Sequence, residues 1–258
     1  MACSASKTFP LSRNSRGVDS GLSREYLIRL QKLMARYAVT SRRKAEILIK
    51  EGRVKVNGEP VKTPGTKVPC SSLIEVNGEI INRSIPKVYL MLNKPPGYLC
   101  TRGKQDERPV LYDLIDEKYR DYGLFSVGRL DCLSEGLIVI TNDGDFSHAV
   151  SHPSGGILKK YEVTTEEKIP YKKIVAWING VYIKGERYAI QGYNKISSKK
   201  VILTLSEGKN REIRRLFETI DISIKKLKRI AIGSLELGDL PTGQSRELKQ
   251  HELKRILH

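Results

Sequence analysis

Residues 126–145, SVGRLDCLSEGLIVITNDGD, decide how the chain is read. Gly136-Leu137-Ile138-Val139-Ile140-Thr141 is a short apolar run rich in β-branched residues, the pattern of a buried strand. Before it, Gly128-Arg129-Leu130-Asp131 places a charge pair in a turn-like segment. After it, Asn142-Asp143-Gly144-Asp145 carries residues that tolerate positive φ, which reads as a turn. Asp131 is therefore expected in a loop that feeds a core strand, where a catalytic group is held by a rigid scaffold. The simpler reading is that Asp131 caps the turn and pairs with Arg129.

Composition narrows the partners. The 258 residues suffice for one large domain or two, and no apolar run approaches the ~20 residues of a membrane span. The net charge is +17, and residues 1–87 hold 17 Lys and Arg against 7 Asp and Glu, so +10 of the excess lies in the front third. Such a surface favours polyanions, with nucleic acid first. Cys3, Cys70, Cys100 and Cys132 lack C-x-x-C spacing, which argues against a zinc site or a disulfide framework and suits a reducing cytoplasm. His148 and His152 are four apart but no acidic or thiol partner joins them, so no metal is expected.

Residues 1–24 are rich in Ser and basic residues and read as a disordered arm. A transit peptide has a similar composition, so an organellar setting stays open. Tyr26, Leu27, Leu30, Leu33 and Met34 recur at helical spacing, and that helix should run to about Tyr37. Thr40 or Ser41 suits the N-cap of a second helix, with Arg42, Arg43 and Lys44 in its first turn and Gly52 at its end. Three cations there oppose the helix dipole, and a bound phosphate would remove the conflict. Asn57-Gly58 and Asn77-Gly78 mark hairpin turns. Residues 82–87 are polar with a proline and read as a linker. The organisation expected is an arm (1–24), a small ααβ domain (25–82), a linker (83–87) and a larger α+β domain (88–258).

In the larger domain, Val88–Leu92 reads as a strand running into Asn93-Lys94-Pro95-Pro96-Gly97. Lys94 is thus expected at the same sheet end as Asp131, as a phosphate contact. Residues 110–114, 171–179 and 246–257 read as helices, and 159–164 and 201–208 as strands. Ile213, Leu216, Phe217 and Ile220 mark one face of a helix, followed by a basic segment at 225–229.

RLQKLMARYAVTSRRKAEILIKEGRVKVNGEPVKTPGTKV (29–68) resembles the S4-type RNA-binding module, with Ala38 where many members carry glycine. KPPGYLCTR (94–102), VGRLDCLSEGLIVITNDGD (127–145), KKYEVT (159–164) and EGKNREIRRLF (207–217), in that order, resemble the pseudouridine synthases of ribosomal RNA that carry such a module. The wording is most like the large-subunit enzymes of the B type. The resemblance implies a mixed, mainly antiparallel sheet flanked by helices. It also implies that Asp131 is the essential aspartate, that Tyr161 stacks on the target base, and that Arg214 pairs with Asp131. Arg129 and Lys94 match positions near the flipped nucleotide and its phosphates. Arg42, Arg43 and Lys44 become the docking contacts of the module. Ser134 stands where threonine is common and keeps the hydroxyl.

The implied chemistry suits these residue types. Uridine isomerisation breaks the glycosidic carbon–nitrogen bond and joins carbon 5 to the ribose without exchanging atoms with another reactant, so no cofactor is expected. A carboxylate serves as nucleophile or base, and a neighbouring arginine favours its ionised form. The sequence leaves open whether Asp131 attacks the ribose, attacks the uracil ring or abstracts a ribose proton. An aromatic ring holds the detached base by stacking, worth about 1–3 kcal/mol. The expected partner is ribosomal RNA, free or in a precursor particle, met by a monomer with no membrane association. A small-subunit target and a non-catalytic assembly factor are the alternative readings.

Overall fold

The computed structural model describes residues 26–81, 85–103 and 107–257. The arm expected over 1–24 lies outside the described residues, as do Cys3 and linker residues 83 and 84.

In the front unit, β1 (Leu27–Arg29), α1 (Leu30–Arg36), α2 (Arg42–Lys50), β2 (Val54–Val56), β3 (Glu59–Pro60), β4 (Lys67–Pro69), β5 (Ile74–Val76) and β6 (Glu79–Ile81) follow in chain order. The first helix starts later than its spacing suggests. Leu27–Arg29 pairs antiparallel with Lys67–Pro69, and that pairing leaves Tyr26 and Leu27 exposed. Ser41 is the N-cap of α2, and its hydroxyl accepts from the Lys44 amide at 3.3 Å. Ala45 and Ile49 of α2 pack with Leu30, Leu33, Met34, Val54 and Ile74 in one core. Each fully buried aliphatic side chain there contributes about 1.5–3 kcal/mol of transfer free energy. The strands run in the order β3-β2-β5-β6. Both Asn-Gly turns have positive φ at both residues (51° and 87°; 56° and 85°), the geometry that matches the twist of a tight hairpin. Ala38 is left-handed too, at φ 51°, which gives a physical reason for glycine at this position in other S4 modules.

The larger unit contains β7 (Tyr89–Lys94), β8 (Phe125–Val127), β9 (Glu135–Thr141), α3 (Gly144–Ser151), β10 (Lys159–Thr165), α4 (Tyr171–Asn179), β11 (Val181–Ile183), β12 (Glu186–Tyr188), β13 (Gly192–Ser197), β14 (Lys200–Leu205), α5 (Glu212–Glu218), β15 (Ile224–Ile232), β16 (Leu235–Glu236), β17 (Ser245–Glu247) and α6 (Gln250–Ile256). Its nine-stranded sheet runs β13-β14-β10-β15-β9-β7-β17, with β8 and β16 attached to β9 and β15. Only β15 and β9 pair in parallel among these strands. Leu90, Leu92, Ile138 and Ile140 enter the core on one face with Tyr161, Trp177 and Phe217. Met91, Leu137 and Val139 enter the other, with Phe146, Val150 and Ile256. This alternation buries β7 and β9 on both sides, so they read as unbroken apolar runs.

Two local readings change. The Asn142–Asp145 turn is the start of a helix: the Asp143 carboxylate accepts from the Asp145 and Phe146 amides at 3.0 and 3.2 Å, and α3 follows. Residues 246 and 247, expected in the terminal helix, belong to β17, whose pairing with β7 extends the sheet. That helix begins at Gln250.

The two units meet through α1 and α3. Asp145, in the first turn of α3, accepts from Lys32 at 2.5 Å and from Arg36 at 2.8 Å. Lys32 and Arg36 are four apart and so share a face of α1. Arg42, expected to contact RNA, lies against Gly144, where an added Cβ would stand 2.8 Å from its guanidinium.

Candidate active site

The loop between β8 and β9 turns on Gly128, at φ 71°, and delivers Asp131 to a cleft of about 500 Å³. Tyr161 of β10 lines the same cleft, as do Arg129, Cys132 and the segment Glu207–Ile213. Residues distant in sequence thus converge because β9, β15 and β10 are neighbours in the sheet. The volume suits a nucleoside-sized group.

Asp131 is half-buried, and its carboxylate forms no hydrogen bond or ion pair within the described residues. It neither caps its own turn nor pairs with Arg129, which is exposed. The backbone of the loop supplies the order instead. The Asp131 carbonyl accepts from the Ser134 amide at 3.0 Å, the Cys132 carbonyl accepts from the Gly97 amide at 2.8 Å, and the Leu130 amide donates to the Cys100 thiol sulfur at 3.4 Å.

Lys94 overturns its expected role. Its side chain is fully buried, and its ammonium donates to the carbonyls of Pro95 (2.9 Å), Asp131 (3.3 Å), Cys132 (3.1 Å) and Ser134 (2.8 Å). An ammonium committed to four carbonyls inside the protein has no free side to offer a phosphate. Burial pulls the Lys94 pKa down, opposed by the Cys100 and Cys132 thiols and by Asp131 and Glu135. The four carbonyl dipoles also favour its charged form. Lys94 is the post around which the Asp131 loop is wrapped.

Arg214 sits half-buried on α5, close enough to feel the Asp131 charge, but no nitrogen–oxygen distance of 4.0 Å or less joins them. Burial destabilises its cation, the Arg211 charge adds to this, and Asp131 and Glu218 offset part of it. Its Nε is buried without a partner within the described residues. The expected Asp131–Arg214 pair is therefore a through-space attraction here. Helix α5 is anchored by Glu212, whose carboxylate accepts from the Lys209 amide at 3.0 Å; burial pushes its pKa up.

Arg229, read in the sequence as part of the basic segment 225–229, points into the protein. It is 4% exposed, it lies beside Tyr161 in the β10–β15 register, and its Nη1 is 3.5 Å from the Tyr161 hydroxyl. The sequence carries one weak clue to this: Arg229 stands two residues from Leu227 and from Ala231, so in a strand it faces the same side as both. Lys225 and Lys226 remain exposed, and Lys226 pairs with Glu135 at 3.0 Å. Arg43 and Lys44 are exposed beside Arg42 at the start of α2.

Comparison with known proteins follows this geometry. The sequence pattern of the RNA pseudouridylate synthase family matches residues 88–219, and that of the S4 domain matches residues 28–69. Ribosomal large subunit pseudouridine synthase B of Bacillus subtilis is 40% identical over 88% of this chain and 95% of its own length. The putative chloroplastic ribosomal large subunit pseudouridine synthase SVR1 of Arabidopsis thaliana is 36% identical over 95% of this chain, which spans 64% of that relative's length. A solved pseudouridylate synthase structure superposes with a TM-score of 0.65 at 30% identity, covering 89% of this chain and 99% of its own. The chain belongs to the RNA pseudouridylate synthase family, isomerases of uridine in RNA, and carries an S4 domain ahead of the catalytic domain.

Proposed function

We propose that this protein converts uridine in large-subunit ribosomal RNA to pseudouridine, with Asp131 as the reacting carboxylate. The observation that carries this is an unpartnered Asp131 carboxylate lining one cleft with Tyr161, in a loop fixed by its backbone rather than by the reacting group. A carboxylate free of internal partners is available to the ribose or the base. The uracil leaves nitrogen 1, turns, and bonds to the ribose through carbon 5; the proton lost from carbon 5 is balanced by one gained at nitrogen 1. Tyr161 holds the detached ring by stacking. Arg214 supplies positive charge beside Asp131.

The target base has to leave its stack, at a cost of a few kcal/mol. Arg129 at the cleft and Arg42, Arg43 and Lys44 on the S4 domain supply phosphate contacts that offset it. The reaction needs no cofactor. Ribosomal RNA, free or in a precursor particle, is the partner, and the protein acts as a monomer in the cytoplasm or an organelle. No helix among the described residues is long and apolar enough to cross a membrane.

The test is to incubate purified protein with unmodified ribosomal RNA of each subunit and map pseudouridine by carbodiimide treatment and primer extension. One or more new sites in the large-subunit RNA, lost with Asp131→Asn, is the expected result. A site that persists in the variant, or none with wild type, overturns the proposal; a site confined to the small-subunit RNA overturns the choice of substrate.

A further inference from the structure

We infer that Arg229 is a positioning residue that fixes Tyr161 against the strand leaving the Asp131 loop, so that the carboxylate and the stacking ring keep one relative placement. This rests on the reading of Asp131 and Tyr161 as the reacting pair.

The placement begins in the sheet. Arg229 of β15 is registered with Tyr161 on one side and with Gly136 of β9 on the other. It is therefore the residue between the strand that carries the ring and the strand that follows the carboxylate. Its Nε donates to the Leu137 carbonyl at 2.7 Å, a short and well-formed bond to β9. Its Nη1 reaches the Tyr161 hydroxyl at 3.5 Å, the outer limit of a hydrogen bond, and the guanidinium lies 6.0 Å from the centre of the Tyr161 ring. One rigid fork thus touches both strands.

Three further features fit this role. The β10–β15 register shifts between Lys160 and Tyr161, and such irregularities re-aim a side chain beside active sites. Gly136, at φ 100°, lies so close to β15 that an added Cβ would stand 2.3 Å from the Arg229 carbonyl. The absence of a side chain there allows β15 to approach the strand after the Asp131 loop. Finally, Arg229 Nη2 is buried with no hydrogen-bond partner within the described residues. An arginine kept solely for stability would be expected to have its donors satisfied.

The test uses the full chain and Arg229→Gln, with Arg229→Lys as the variant that keeps the charge but loses the fork. Two readouts are taken. Without RNA, carbon-13 tyrosine labelling gives the ring signals of Tyr161, assigned by their loss in Tyr161→Phe. With RNA, single-turnover rates are measured at saturating enzyme, together with the affinity for the transcript. Displacements near 1 Å can cost about 10²-fold in rate, so a 10- to 100-fold fall is expected in both Arg229 variants, with affinity within about twofold of wild type. The Tyr161 signals should shift or broaden while those of Tyr182 stay in place. Tyr161→Phe combined with Arg229→Gln should be slower than wild type by less than the product of the two single effects, because both act through one ring.

Unchanged Tyr161 signals in both Arg229 variants overturn the inference, as do rate losses that multiply fully. If Arg229→Gln does not fold, Arg229→Lys carries the same criteria. The ring signals decide the matter even if the RNA chosen is not a substrate. Full turnover by Tyr161→Ala overturns the role of Tyr161 itself, a separate result.

Discussion

Arg36 of the S4 domain donates to Asp145 of the catalytic domain at 2.8 Å, and Lys32, one helical turn earlier, donates to the same carboxylate at 2.5 Å. This clamp joins α1 to the first turn of α3, where a negative charge also complements the helix dipole. Burial raises the Asp145 pKa, but the bonds and charges of Lys32 and Arg36 outweigh it and hold the carboxyl below its ordinary value. A carboxyl whose folded pKa is depressed stabilises above its unfolded value, near 4, and loses that contribution as pH falls through the folded value. Because Asp145 is more than half exposed, the contribution is within about 1 kcal/mol. Asp145→Asn should leave the melting temperature nearly unchanged but loosen the units. Small-angle scattering should show a larger radius of gyration, with a similar change in wild type acidified below the folded pKa. An unaltered profile would show that other contacts hold the junction.

The junction also bears on RNA binding. Arg43 and Lys44 are exposed and have no ion-pair partner among the described residues, whereas Arg42 lies against Gly144. If the first two neutralise phosphates, Arg43→Gln with Lys44→Gln should reduce the slope of log affinity against log salt by roughly 1.4–1.8, counting about 0.7–0.9 per contact. Titrations from low to moderate salt measure it. An unchanged slope would remove this end of α2 from the interface.

Much of this architecture is legible in the sequence, for physical reasons. The two Asn-Gly turns are visible because both residues tolerate positive φ, and β9 because a strand buried on both faces is an apolar run. The cap is narrowed to Thr40 or Ser41 because hydroxyl residues stand one turn before Ala45, where the apolar spacing of α2 begins. What failed to show was long-range. Leu27 follows helical spacing, but pairing with Pro69 draws it into a strand. Helix α3 hides behind an Asp-Gly pair that reads as a turn, because an Asx turn and an N-cap use the same carboxylate bonds. Asp131 and Tyr161 were legible as types beside their motifs. Lys94 reads as a phosphate contact and Arg229 as one member of a basic segment because a sequence gives their charge and not the buried carbonyls they face.

Gly136 should tolerate no side chain. At φ 100°, and with the Arg229 carbonyl 2.3 Å from a built Cβ, Gly136→Ala combines backbone strain with a backbone clash in the central sheet. Strain of this kind costs about 1–3 kcal/mol and the clash adds to it. Urea unfolding should show a loss of 3 kcal/mol or more, or no soluble protein. A loss under 1 kcal/mol would mean that β9 and β15 separate more easily than the geometry implies.

At the far edge of the sheet, Arg246 of β17 grips Glu252 of α6 through two bonds, at 2.8 and 2.6 Å, and the Lys249 amide donates to the same carboxylate at 2.8 Å. The Arg246 bond is the largest cause of a Glu252 pKa lowered to about 2. Above the unfolded value, near 4.3, this group contributes its full stabilisation, and the contribution disappears as pH falls through about 2. Discounted for solvent screening, about 1 kcal/mol is expected. Glu252→Gln should lower stability by that amount at pH 7 and have little effect at pH 1.5, read by denaturant titration at both values. Equal losses at both would point to packing rather than charge.

Lys94 separates a scaffold from a phosphate contact. Four carbonyls, three of them in the Asp131 loop, lose their donor in Lys94→Met, while the methylene volume is nearly kept. Unsatisfied buried carbonyls cost about 1–3 kcal/mol each before relaxation. Because the loop reaches the cleft surface, part of that cost is avoided by the loop leaving its place. The expected outcome is a loss of roughly 2–4 kcal/mol, a fall in turnover of at least 10²-fold from a displaced Asp131, and an unchanged salt slope of RNA binding. A phosphate ligand would behave otherwise, with lower affinity, a shallower salt slope and intact stability. Denaturant unfolding and salt titration of the same variant therefore decide between the two roles, and the buried ammonium commits to the first.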